Sequence, residues 1–104
     1  MDYVYPTEFE IPNTEDFCRG DMHQGKLSCS LGWYKNIFPH APVEVYGKFH
    51  SNFLKNAKKL NLKPIDDCND TKRIYEYNDN PENSLEDIAT CFSMTIENMG
   101  YKIS

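Results

Sequence analysis

Ser84-Leu85-Glu86-Asp87-Ile88-Ala89-Thr90-Cys91-Phe92-Ser93-Met94-Thr95-Ile96-Glu97-Asn98-Met99-Gly100 is the stretch on which the fold turns. Leu85, Ile88, Ala89, Phe92, Ile96 and Met99 recur at the spacing of one helical face. Ser84 is an N-cap, Asp87 stands three residues on as a near capping box, and Glu86 and Asp87 complement the positive end of the helix. Gly100 stops it. An amphipathic helix near 85–99 must bury its apolar stripe, at about 1.5–3 kcal/mol per large side chain before the entropy cost. The rest of the chain has to supply the opposing surface.

Two earlier segments can do so. Over 42–60, Tyr46, Phe49, Phe53, Ala57 and Leu60 form a stripe, with Lys48, Asn52, Lys55 and Lys59 opposite. Pro42 suits a helix start, Asn61 suits a left-handed cap, and Pro64 forbids continuation. Over 27–38, Leu27, Leu31, Tyr34 and Phe38 share a face beside Trp33 and Ile37. The small residues Ser28, Cys29, Ser30 and Gly32 would let this helix lie close to a neighbour, which predicts a buried central element. Gly32 costs it about 1 kcal/mol of helix propensity relative to Ala.

The remaining segments read differently. Tyr3, Tyr5, Phe9 and Ile11 alternate with polar residues, the period of an extended segment, while Pro6 and Pro12 confine it to an edge strand or arm over 1–12. Asn13 to Asp16 reads as a turn or short helical start. Residues 73–77 (Arg-Ile-Tyr-Glu-Tyr) are rich in strand formers, and their pairing with 3–11 is the expected β component. Asn78, Asp79, Asn80 and Pro81 are turn chemistry. The expected fold class is mainly α, with a small α+β variant if that pairing forms, in a single domain over 1–104.

With 104 residues, 39% hydrophobic and 13% aromatic, the chain can build one core without staples. The segment after Met1 lacks the charge pattern of a secretory signal, and no apolar run reaches membrane-span length. The expectation is a cytoplasmic protein with Cys18, Cys29, Cys68 and Cys91 as thiols. Net charge is −5, yet residues 19–63 hold eight bases and two acids between acidic flanks. The basic middle can be answered by the termini folding back on it, or can form an anion-binding stripe.

Cys18, His23 and Cys29 form the nearest approach to a metal set, although the close ligand pair usual for zinc is missing. Buried inert thiols are the plainer assignment. No spacing joins His23, His40 or His50 to a nucleophile, and there is no phosphate-cradling glycine loop. The lysine face of 42–60 (Lys48, Lys55 and Lys59, with Lys58 and Lys63 near) could meet phosphates, but such a row is usually a solvated helix face, and a pI near 5.1 opposes a dedicated nucleic-acid binder.

Three pieces in order, Phe17-Cys18-Arg19-Gly20, Cys29-Ser30-Leu31-Gly32 and Tyr77-Asn78-Asp79, resemble an uncharacterised family of small helical proteins from bacteria and their tailed phages. That family carries Trp-Cys-x-Gly, then Cys-Ala-Leu-Gly, then Trp-Asn-Asp before its last helix. Phe17 and Tyr77 stand in place of the tryptophans and Ser30 in place of the alanine; the match spans roughly 17–100. The resemblance implies helices and a shared packing of the two Cys-Gly elements, and it implies no activity.

The functional expectation is a non-enzymatic accessory protein without cofactor, encoded by a phage or mobile element and binding a host protein, with defence components among the candidates. Its contact residues would be Tyr3, Tyr5, Tyr75 and Tyr77, with Lys55 and Lys59 as a charged rim; Trp33 is assigned to the core. The alternative is a small-molecule or metal-binding module at Cys18, His23 and Cys29, with Asn78 and Asp79 as convergent polar groups. Nucleic-acid contact through the lysine face is the weaker third.

Overall fold

The computed structural model describes residues 11–19, 23–25, 27–65 and 73–101. In chain order the elements are a 3-10 turn Thr14–Asp16, strands β1 His23–Gln24 and β2 Leu27–Ser28, and helices α1 Ser30–Ile37, α2 Val43–Lys59, α3 Ile74–Asn78 and α4 Leu85–Asn98. The protein is mainly helical. The principal packing is α2 against α4.

Both long helices begin and end as their residues dictate. Ser84 Oγ accepts the Asp87 N–H at 3.1 Å to start α4. At its end Gly100 takes φ of +102°, and the N–H groups of Gly100 and Tyr101 turn back to the carbonyls of Glu97 and Ile96. Asn61, with φ of +58°, does the same for α2: its N–H donates to Lys58 at 3.1 Å, and Leu62 N–H donates to Ala57 at 2.9 Å. This paired return satisfies carbonyls that a helix end would leave open, and it tucks Leu62 under the last turn.

The core lies where these stripes meet. Val45, Phe49, Phe53 and Ala57 of α2 oppose Ile88, Ala89, Phe92 and Ile96 of α4, all buried. Phe92 meets Phe49 edge-on at 5.6 Å and Phe17 at 5.7 Å, geometries that suit the ring quadrupoles. Tyr34, Ile37 and Phe38 close the cluster from the α1 side. Trp33 packs against it half-buried, its indole N–H donating to Asp16 C=O at 2.9 Å.

Two expectations are corrected. Helix 27–38 is shorter than its periodicity suggests, because Leu27–Ser28 pairs antiparallel with His23–Gln24 across a tight turn in which Gly25 adopts φ of +61°. Cys29 therefore sits at the N-cap of α1, not inside it, and α1 flanks the α2–α4 pair rather than forming the centre.

Residues 73–77 are helical, not extended. Ile74, Tyr77 and Asn78 recur at helical spacing toward the core, and the Glu76 carboxylate accepts the Arg73 N–H at 2.6 Å, holding the first turn. Burial and this local bond outweigh the strand preference of the residue types. The expected pairing partner, 3–11, lies outside the described residues except for Ile11, which packs half-buried on the core. Among the described residues no helix is long and apolar enough to cross a membrane.

Candidate functional site

The three segments singled out by the resemblance converge on one side chain, Asn78. It is fully buried at the end of α3. Its Oδ1 accepts from the Ser30 N–H at 3.0 Å and the Ser30 hydroxyl at 2.8 Å, and its Nδ2 donates to Cys18 C=O at 2.9 Å and Asp79 Oδ1 at 3.0 Å. The Ser30 N–H belongs to the first turn of α1, a group with no partner inside its own helix. Asn78 thus caps α1 from a distance while tying down the Cys18 strand. Two donors and one doubly used acceptor leave the amide well satisfied.

Two further asparagines continue this work. Asn83 pairs with the backbone of Lys63 in both directions, accepting its N–H and donating to its C=O, each at 2.9 Å, and also donates to Tyr77 C=O at 2.9 Å. Asn80 donates to the Lys63 and Pro64 carbonyls and accepts the Glu82 N–H at 3.0 Å. Arg19 donates to Asn83 C=O. The stretch expected as a polar turn brackets irregular backbone, with Asn78, Asn80 and the nearby Asn83 buried. Asp79 caps α3, its N–H donating to Tyr75 C=O at 2.9 Å.

This network is adhesive rather than reactive. Its asparagine amides and the Ser30 hydroxyl are paired with one another and with backbone, the Arg19 Nε alone of its buried side-chain nitrogens has no partner, and no base in it is held against a nucleophile. His23 lies in β1, in register with Ser28. Among the described residues no three His, Cys, Asp or Glu side chains gather as a metal site. Cys91 is buried between α4 and α2, where burial pushes its thiol up to about 12 against a smaller opposing hydrogen bond with Thr95. A thiol so placed stays protonated and unreactive at neutral pH.

A second polar group interrupts the α2–α4 seam. Asn56 is buried and donates to Thr95 Oγ1 at 3.2 Å and Asn98 Oδ1 at 2.9 Å, while its own Oδ1 has no hydrogen-bond partner. Its position was legible: residue 56 falls on the stripe of Phe49, Phe53 and Leu60.

The expected contact residues divide. Tyr3 and Tyr5 lie outside the described residues. Lys55 and Lys59 are exposed on α2, as are Lys48 and Lys58. Tyr75 is 53% exposed, but Tyr77 is 8% exposed and belongs to the core, because the helical turn of α3 points it inward beside Ile74. The surface also shows Ile65, 56% exposed, which periodicity could not have found. Ile65 N–H donates to Glu76 C=O at 3.0 Å, so its chain runs beside α3 next to Tyr75. Lys63 and Arg73, both exposed, stand two residues before Ile65 and Tyr75 respectively. Burial raises the Tyr46 phenol, offset in part by the charge of Arg73, which faces it from the start of α3.

Comparison of the chain with protein-family models, curated proteins and solved structures finds no match.

Proposed function

We propose that the protein is a non-enzymatic binding module that engages another protein through Ile65 and Tyr75 with Lys63 and Arg73 at the rim. The observation that carries this is that two large, exposed apolar side chains stand on chain segments joined by the bond from Ile65 N–H to Glu76 C=O. An aromatic and an aliphatic anchor with a cation two residues before each match the composition of interface hot spots, and the backbone bond between their segments lowers the ordering cost of binding. Their positions favour a partner whose surface offers an apolar pocket beside carboxylates.

The Lys, Asn and Tyr richness of the chain supports placing its gene in an AT-rich phage or mobile element, and on that reading it acts in the cytoplasm on a host protein, with defence components among the candidates. Affinity capture with the intact chain, run beside a variant carrying Ile65→Glu and Tyr75→Ala, tests the assignment. Both substitutions are at exposed positions, so the helical spectrum should be unchanged. A partner held saturably by the parent and lost by the variant is the expected outcome. Capture of the same protein by both, or of none by either, would refute it.

A further inference from the structure

Cys18 and Cys29 are eleven positions apart in the chain, yet the backbone sets them side by side. Phe17 and Ser28 form an isolated parallel bridge, and Cys18 and Cys29 are the residues that follow its two members. The peptide groups around the two cysteines are tied at both ends. Cys18 N–H donates to the carbonyl of Ser28, the residue before Cys29, at 3.1 Å. Cys18 C=O accepts from Asn78, whose Oδ1 accepts the N–H of Ser30, the residue after Cys29.

A peptide N–H bonded to the carbonyl just before a neighbouring residue holds the two Cα atoms about 5–7 Å apart. That range overlaps the Cα separation of roughly 4.4–6.8 Å over which a disulfide closes without backbone movement. Both residues are thiols here, Cys18 buried and Cys29 half-buried.

We infer that Cys18 and Cys29 are a redox-active thiol pair that glutathione disulfide converts to an intramolecular disulfide. Cys29, the more accessible, reacts first: its thiolate attacks one sulfur of glutathione disulfide, a Cys29–glutathione bond forms, the glutathione S–S bond breaks, and one glutathione leaves with the proton Cys29 gave up. Cys18 then loses its proton and attacks the Cys29 sulfur from the protein side. The mixed disulfide breaks and the second glutathione leaves as a thiol. Two protein thiols are oxidised by two electrons, and one glutathione disulfide is reduced to two glutathiones. The product closes a loop of about a dozen residues, which restrains the unfolded chain. It also fixes the Cys18 strand to the start of α1, the junction that Asn78 holds by hydrogen bonds alone. Cys91 is excluded by its place between α4 and α2, with its Sγ 3.5 Å from Phe53 C=O.

The test is to expose the reduced, full-length chain to glutathione disulfide, block remaining thiols with N-ethylmaleimide in acid, and map the peptides by mass spectrometry. The expected product is lighter than the reduced chain by two hydrogens, links Cys18 to Cys29, returns to the dithiol with dithiothreitol, and melts at a higher temperature. In a Cys18→Ser variant glutathione should instead remain on Cys29, because no resolving thiol is present. A lasting glutathione adduct on Cys29 of the parent chain, a linkage through Cys68 or Cys91, or retention of both thiols would overturn the inference. Each of these overturning results is read on the parent chain, whether or not the variant folds.

Discussion

Replacing Asn78 with Ala should cost the protein a large part of its stability, although no apolar contact of consequence is lost. The substitution strips partners from the Ser30 N–H, the Ser30 hydroxyl and Cys18 C=O, around a residue that is fully buried together with Ser30. A buried polar group left unpaired costs about 1–3 kcal/mol. The hydroxyl can rotate, so two to three such groups give roughly 2–9 kcal/mol in all, set against a total stability of about 5–15 kcal/mol for a domain of this kind. Urea unfolding followed by circular dichroism reads the loss as a lowered midpoint at unchanged slope. Asn78→Asp supplies an independent check. It keeps the acceptor for Ser30 but places a second acceptor against Cys18 C=O and Asp79, so the ionised form is disfavoured in the folded state. Its folded pKa is then raised, stability relative to the parent is best in acid, and the deficit grows as pH rises through that pKa. A loss below about 1 kcal/mol for Asn78→Ala would refute the reasoning, since it would mean that these groups find water or other partners at little cost.

Other substitutions test the remaining structure. Asn56→Leu should leave stability unchanged or raise it by about 1–2 kcal/mol, because it removes an amide whose Oδ1 is already unpartnered, while Thr95 keeps its 2.7 Å bond to Cys91 C=O; the urea midpoint reports it. Gly47→Ala, on the exposed face of α2 with nothing within 4 Å of the added methyl, should stabilise by about 1 kcal/mol, read as a rise in melting temperature. Above the ordinary thiol pKa of 9.0 the unfolded chain gives up the Cys91 proton while the folded chain holds it to about 12, so stability should fall across that interval by about 1.4 kcal/mol per pH unit; Cys91→Ala should remove that component in unfolding curves taken across the range.

The long helices were legible because their signals are local. Ser84, Asn61 and Gly100 sit within a turn of the groups they satisfy, and the stripes of α2 and α4 repeat at one helical period. The Asn78 node was not legible as a node, because its bonds reach across 48 and 60 positions of the chain. From the sequence alone Asn78 and Asn80 read as turn residues and Asn83 carried no assignment, and only the fold reveals backbone for them to bind. The helix at α3 was hidden for the same reason: Ile74, Tyr75 and Tyr77 are good strand formers, and a core waiting for Ile74 and Tyr77 decides against that preference. The surface divides likewise. The exposed lysines of α2 followed from periodicity, whereas Ile65 is exposed in a loop where periodicity has no meaning.

Native-state hydrogen exchange at the Ser30 amide tests the central claim that buried asparagine, rather than a ligand, assembles the three segments. First-turn amides of a helix ordinarily exchange fast, having no partner within the helix. Bonded to Asn78 at 3.0 Å and shielded from solvent, the Ser30 amide should exchange only through global unfolding, as slowly as Ile88 or Phe92 in α4. Exchange at the rate of an open helix terminus would contradict it.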